Sequence, residues 1–407
     1  MIFIQSLERI IWLSHKEGVI CVKKYIAIFL CIFMLVLSAC RSGENTAPSQ
    51  GTEPPASATD LNGQSSSTDA ESDWSFTSVK ENGLSFLSAD MLVRFAAMAD
   101  QDTLCVVAND PTDEETAPLT DGVRTVPLTV YFYDTKRNEA TGSFTLAGTE
   151  LQFFTADGRL YTIDDPGIKT AALRVYDHTG ICTQSVDLSA DYAGLPAFFD
   201  AGILLYSFVS PDGNTLLYNA YAHETNTLEA FVLDLTNGTE NRIPLPPNAS
   251  AKGFDGENIL IQKTVDEKTT LSVYSLNGEE RKQYSFGKAK SVTGGGQYYA
   301  VYDFGKYNGS TVTVLDIKGL KEYEVTLSSA GEGRRFLLSD DGKTLLSYDD
   351  AGTFRVYDVK KNQQSASFDI GNIPFAGMMI ACLDADRNTV YLPLGDNGQC
   401  ELAAIRY

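Results

Sequence analysis

The chain is poor in the residues on which metal centres and acid–base relays most often draw. Three histidines occur in 407 residues, and only His178 and His223 follow the first forty positions. Each stands alone in a polar turn, His178 in Tyr-Asp-His-Thr-Gly and His223 in Ala-His-Glu-Thr-Asn. Two isolated imidazoles make neither a histidine-based metal cluster nor a Ser-His-Asp relay, so both read as solvated turn residues. Positive charge is also scarce: 32 Lys and Arg stand against 53 Asp and Glu, a net charge of −21. Such a field repels phosphate backbones and argues against nucleic acid as a partner. It repels anionic lipid head groups as well, so membrane contact has to come from an anchor. Seven cysteines, Cys21, Cys31, Cys40, Cys105, Cys182, Cys382 and Cys400, show no Cys-x-x-Cys or Cys/His spacing, which gives no zinc site. Cys382 and Cys400 read as lying on strands with a third between them. Two inter-strand spacings put them roughly 10 Å apart, too far for a disulfide. All four cysteines after Cys40 are expected as small buried hydrophobes.

The apolar run Tyr25–Leu37 falls short of the roughly 20 residues that a membrane-spanning helix needs. It follows Lys23-Lys24 and ends in Leu37-Ser38-Ala39-Cys40, a basic pair, a short apolar core and small residues before a thiol. That ending resembles the lipobox of bacterial lipoproteins. The resemblance implies export, cleavage before Cys40 and lipid attachment at Cys40, with acyl chains holding the protein on a bacterial membrane. Residues 1–39 are then the signal segment. Its loss removes Arg9, Lys16, Lys23, Lys24, Glu8 and Glu17 and leaves the exported form more acidic still. Residues 1–21 fit this plan poorly. Lys16-Glu17-Gly18 can be encoded with AGGAGG, a ribosome-binding sequence, so translation is expected to start at Val22. Residues 40–73 carry the lipidated cysteine and a tether of Ser, Thr, Gly, Pro, Asn, Gln and acids, in which Leu61 is the one large aliphatic. Such a composition cannot offset chain entropy by burial and reads as a flexible spacer.

From Trp74 the chain repeats. Alternating apolar runs ending in Asp or Ser recur as Leu128–Asp134, Leu173–Asp177, Ala230–Asp234, Leu271–Ser275, Val312–Asp316 and Phe354–Asp358. The anchor positions 134, 177, 234, 275, 316 and 358 are separated by 43, 57, 41, 41 and 42 residues. About twenty residues before the anchors come turns such as Ala156-Asp-Gly-Arg159, Ser210-Pro-Asp-Gly-Asn214 and Ser339-Asp-Asp-Gly-Lys343, each opening a β-rich run. Asp-Gly supplies the positive φ that tight hairpins need. Together the themes make four strands per unit, and a period near 40–45 residues is that of a propeller blade. The pair resembles the WD-repeat-like and YVTN-type β-propellers, in which an SPDG turn precedes a VYD strand; the Trp-Asp dipeptide and structural His of eukaryotic WD repeats are missing. Residues 74–407 are therefore expected to form an all-β, about seven-bladed propeller. The first unit runs from about Leu84 to Leu146, with an insertion at Asn109–Arg124, and the seventh starts near Ile373. The last unit lacks its fourth strand, and Trp74–Val79 is expected to supply it by pairing with Cys400–Arg406, closing the ring and hiding its edges.

Motifs that carry chemistry are few. Asp384-Ala-Asp386-Arg-Asn388 mimics the start of a calcium loop but has Thr389 at its sixth position and Gly395 at its twelfth, and reads as a hairpin turn. Asp110–Glu115 reads as a solvated acidic loop. Gly294-Gly-Gly296 has no following Gly-Lys-Ser and reads as a tight turn. Arg94, Arg334 and Arg335 fall on expected inner strands that line the axial channel, where they could meet an anion; pairing with acidic neighbours is the reading preferred here. No catalytic constellation emerges. The expectation is a membrane-anchored, extracytoplasmic, non-catalytic binding or interaction scaffold, with a protein or small molecule as its ligand and no cofactor. The resemblance implies a rival, since propellers also serve as lactonases, lyases, phytase-like hydrolases and quinone-dependent dehydrogenases. Such an enzyme would gather acidic groups at one channel mouth, where calcium is the ion they would take.

Overall fold

A computed structural model describes residues 75–77 and 91–407, apart from 121–122, 149, 165–171, 189–206, 223–226, 244, 248, 304–310, 329–334, 350–351, 370–381 and 395–400. Seven four-stranded antiparallel sheets form a seven-bladed β-propeller. Blade 1 consists of Leu92–Met98, Thr103–Asn109, Leu128–Asp134 and Glu139–Leu146. Blade 2 follows with Glu150–Ala156, Arg159–Asp164, Ala172–Tyr176 and Cys182–Asp187. Blade 3 holds Ser207–Val209, Thr215–Ala222, Thr227–Asp234 and Thr239–Ile243. Blade 4 holds Ala249–Phe254, Asn258–Val265, Lys268–Ser275 and Glu280–Phe286. Blade 5 holds Lys290–Gly295, Tyr298–Asp303, Thr311–Asp316 and Lys321–Thr326. Blade 6 holds Arg335–Leu338, Thr344–Tyr348, Thr353–Asp358 and Gln363–Asp369. Blade 7 combines Cys382–Asp384, Thr389–Leu394 and Glu401–Arg406 with the early strand Ser75–Thr77.

That last sheet closes the ring. Ser75 pairs with Arg406 and Thr77 with Ala404, antiparallel, so the earliest described strand completes the last blade. Of the expected partners, Trp74, Val79 and Cys400 lie outside the described residues, as do the proposed unit starts Leu84 and Ile373. Arg387 ties the seam a second time. It donates to the Gln101 carbonyl at 2.7 Å and to the Asp102 carboxylate, across 286 and 285 positions of sequence.

The repeated motifs earn their recurrence by capping backbone. Asp134, Asp234, Ser275, Asp316 and Asp358 end third strands, and Asp177 directly follows one. Their side chains accept turn N–H groups: Lys136 and Arg137 on Asp134, Thr179 and Ile181 on Asp177, Thr236 on Asp234, Gly319 on Asp316 and Lys361 on Asp358. In the Ser-x-Asp-Gly turns the serine does both jobs. Ser210 Oγ donates to Asp212 at 2.6 Å and accepts from Thr215 N at 2.9 Å; Ser339 repeats this with Asp341 and Thr344. Gly213 and Gly342 both have φ +67°, where a Cβ is disfavoured.

Packing runs from blade to blade. Second strands are buried on both faces and read as continuous apolar runs, such as Leu104–Ala108 and Ile259–Ile261. Outermost strands such as Gln363–Asp369 and Cys182–Asp187 expose alternate residues to water. Each apolar cluster bridges neighbours: Tyr161, Ile163 and Leu173 of blade 2 pack with Leu216, Tyr218 and Leu233 of blade 3, and Leu260 and Leu271 of blade 4 with Tyr299 and Leu315 of blade 5. Fully burying one such side chain contributes about 1.5–3 kcal/mol. Polar ties index the same interfaces. Tyr161 donates to the Gly213 carbonyl at 3.0 Å, Asn219 exchanges hydrogen bonds with both backbone groups of Ala251, and Phe254 N donates to Tyr299 Oη at 2.7 Å.

Candidate functional site

Consecutive antiparallel hairpins send every innermost strand the same way, so all turns from innermost to second strand open on one face of the ring. At the axis on that face lies a funnel of about 950 Å³, lined by innermost strands and turns of blades 1, 2, 3, 5, 6 and 7. Its wall is largely apolar: Phe95, Met98, Phe153, Phe154, Phe208, Val209, Leu337, Leu338 and Leu383 line it. Among the described residues six carboxylates, Asp100, Asp157, Asp340, Asp341, Asp384 and Asp386, also line it, all in the turns or at strand ends, and no Lys or Arg does. The Gly294–Gly296 stretch forms its blade 5 side, with Gly294 at φ +137° and Gly296 at φ +53°. Gly294 and Gly295 end the innermost strand, and a Cβ on Gly294 would overlap the Tyr298 carbonyl oxygen of the adjoining strand.

Several rim carboxylates are already engaged. Asp384 accepts from Arg387 at 2.9 Å, Asp341 pairs with Lys343 at 2.6 Å, Asp157 with Arg159 at 3.0 Å, and Asp100 accepts from Asp102 N at 2.8 Å. Asp340 and Asp386 hold no cation within salt-bridge reach among the described residues. Asp340 is exposed to the solvent of the opening; the crowding of protein around it, and then the Asp341 charge, raise its pKa above the usual carboxylate value.

Basic side chains lie at strand ends farther from this mouth, where acids such as Asp303 also lie. Arg94 occupies a bulge between Val93 and Phe95, Lys290 opens the innermost strand of blade 5, and Arg335 opens that of blade 6. A bulge re-aims its extra residue, and Arg94 donates to the neutral amide of Asn109 at 2.7 Å. That bond joins the innermost strand of blade 1 to the end of its second strand. Lys290 pairs with Asp303 at 2.6 Å. Lys252 sits in a second bulge, between Ala251 and Gly253, and burial pulls its pKa down to about 8.

A smaller cavity of about 270 Å³ is lined by Phe144, Glu150, Arg174 and Tyr176 among others. Glu150 and Asp164 are direct cross-strand partners in blade 2, and Arg174 on the third strand pairs with the fully buried Asp164. Burial, then the Asp164 charge, raises the Glu150 pKa above its usual value.

Other expectations resolve one by one. Asp384–Asn388 is a hairpin turn joining Cys382–Asp384 to Thr389–Leu394, with Asn388 at φ +49°. Asp110–Glu115 is not a loop: Pro111–Thr116 is a short helix, because Asp110 accepts from Thr112 N at 2.8 Å and Pro occupies its first turn. Cys105 and Cys382 are buried, but Cys182 is exposed. It lies on the outermost strand of blade 2, whose outward face meets water. His178 is an exposed turn residue. Cys40, Cys400, His223 and Arg334 lie outside the described residues. Among the described residues no group of three or more His, Cys, Asp or Glu is placed to hold a metal ion, and no helix is long and apolar enough to cross a membrane. The funnel gathers acidic groups at one channel mouth, the arrangement expected of the enzymatic alternative, though no three of the described ones are placed to hold an ion; its trace in the sequence is the recurrence of acidic turns one blade apart. No family model matches the chain, and no curated protein does.

Proposed function

We propose that this chain is a lipid-anchored, extracytoplasmic binding module, in which the propeller presents its acidic funnel to a ligand and performs no chemistry. The observation that carries this reading is the funnel itself. A rigid ring opens about 950 Å³ of largely apolar wall beneath a charged rim, which is the composition of a recognition pocket. The residues that recur along the chain cap turns, so they serve the ring rather than a reaction. The anchor rests on Lys23-Lys24, the apolar run and Leu37-Ser-Ala-Cys40.

Two experiments test the two halves. Photo-crosslinking residues placed in cells at Gln101, on the funnel side, and at Lys268, on the opposite face, compare the two surfaces. Capture of a discrete partner from Gln101 alone supports binding at the mouth; equal or exclusive capture from Lys268 refutes it. For the anchor, the wild-type chain is expected to partition with membranes and to carry the mass of a diacylglyceryl group, and Cys40→Ser is expected to abolish both. An unmodified Cys40 would end that half of the reading.

A further inference from the structure

We infer that the funnel receives a cationic polypeptide segment, which seats large apolar side chains against Phe95, Phe208 and Leu337 while its Lys or Arg groups meet the rim carboxylates. This rests on the binding role just proposed and names the class of ligand. The wall and the rim make different demands, and one occupant has to meet both. Large apolar side chains face an open cavity, and covering them removes apolar surface from water, which favours binding. Above them, among the described residues, Asp340 and Asp386 have no cation within salt-bridge reach, Lys343 being paired with Asp341 and feeling Asp386 only at longer range, and no basic side chain lines the opening. Charge complementarity of this kind selects a partner and speeds its arrival. A third observation is independent of the charge. Ser207 on the innermost strand of blade 3 lines the funnel at 5 % exposure, and its Oγ has no hydrogen-bond partner among the described residues. A buried hydroxyl without a partner calls for one, and a polypeptide brings amides and carbonyls along with its side chains. A small polyamine would satisfy the rim and leave the wall wet; an apolar solute would do the reverse.

The test uses the purified full-length chain in detergent and three fluorescent synthetic peptides of equal length, alternating Lys-Phe, Lys-Ser and Glu-Phe. Anisotropy titration is expected to show Lys-Phe binding at least about tenfold tighter than either of the others, with affinity falling as salt rises. The double variant Asp340→Asn/Asp386→Asn is expected to weaken Lys-Phe about tenfold without lowering the melting midpoint. The double variant Asp266→Asn/Glu267→Gln, which removes the same charge from the opposite face, is expected to leave it unchanged. Lys-Ser binding as tightly as Lys-Phe would overturn the inference by reducing the rim to an unspecific acidic surface. Equal losses in both double variants would overturn it too. Capture of a partner at Gln101 without any Lys-Phe binding would remove this ligand class and leave the binding role standing.

Discussion

Arg174 and Arg387 each face two carboxylates, but one set is enclosed in blade 2 and the other crosses the seam where the ring closes. In blade 2, Arg174 pairs with Asp164, whose side chain has no exposure, and Glu150 lies directly across from that aspartate. At the seam, Arg387 joins Asp384 and Asp102, and Lys136 adds a second cation to Asp102. The charge counts differ by one lysine, and the burial differs at one carboxylate: Asp384 is as enclosed as its counterparts in blade 2, whereas Asp102 is a third exposed. The pKa of Glu150 is raised by desolvation, whereas that of Asp102 is lowered by its hydrogen bonds to Lys136 and Arg387. The same residue types thus respond to pH in opposite senses, because one carboxylate has lost its water without gaining a cation of its own.

The largest way to break this comparison is Arg174→Met. It strands the Asp164 carboxylate without its guanidinium, and removal of one partner of a buried pair costs about 3–5 kcal/mol. A urea midpoint close to wild type would show that the cluster is hydrated rather than enclosed. Arg387→Ala should cost less, because Asp102 is open to water and keeps Lys136, which leaves Asp384 as the one enclosed carboxylate that loses its cation. Its signature is local: faster hydrogen exchange at the seam strands Glu401–Arg406 and Leu92–Met98, with the blade 4 strands unchanged.

Glu150→Gln sharpens the contrast through pH. With a folded pKa raised above the ordinary 4.5, Glu150 binds more protons folded than unfolded, so stability falls as pH rises through the folded pKa. The variant should therefore melt slightly higher than wild type at neutral pH, and the gain should vanish below about pH 4. Loss of stability at neutral pH would mean that the carboxylate is a needed acceptor for Gly148 N, which it meets at 2.9 Å. Asp102→Asn gives the smallest effect with the opposite sign. The folded pKa of Asp102 lies below the ordinary 3.8, so its contribution is present above that value and is lost as pH falls through the folded pKa. The difference from wild type should shrink in high salt, because the site is solvent-accessible; a salt-independent difference would place it with the buried cluster.

Legibility in the sequence followed how local each interaction is. Asp134, Asp177 and Asp234 were readable as anchors because each caps a turn within four residues of itself. The Asp-Gly turns were readable for the same reason, through the positive φ of Gly158, Gly213 and Gly342. The closing strand was readable because the last unit came up one strand short. Cys182 was misplaced as a buried residue because a small apolar side chain says nothing about whether its strand is second or outermost. The tyrosines gave no warning of their part. Tyr161 reaches Gly213 and Tyr299 reaches Phe254, each in the neighbouring blade, and only the twist between sheets brings those atoms together.

The chain by itself determined the period, the four-strand unit, the ring closure and the acidic turns, because these depend on backbone preferences and on side chains a few residues away. Tertiary structure decided which acidic turns meet. Asp100, Asp340 and Asp386 surround one opening although hundreds of residues part the first from the last, since a ring brings turns of different blades together at its axis. It also decided that Glu150 should hold its proton more tightly and Asp102 more loosely, because burial and the placing of cations are set by the packing of sheets and not by the order of residues.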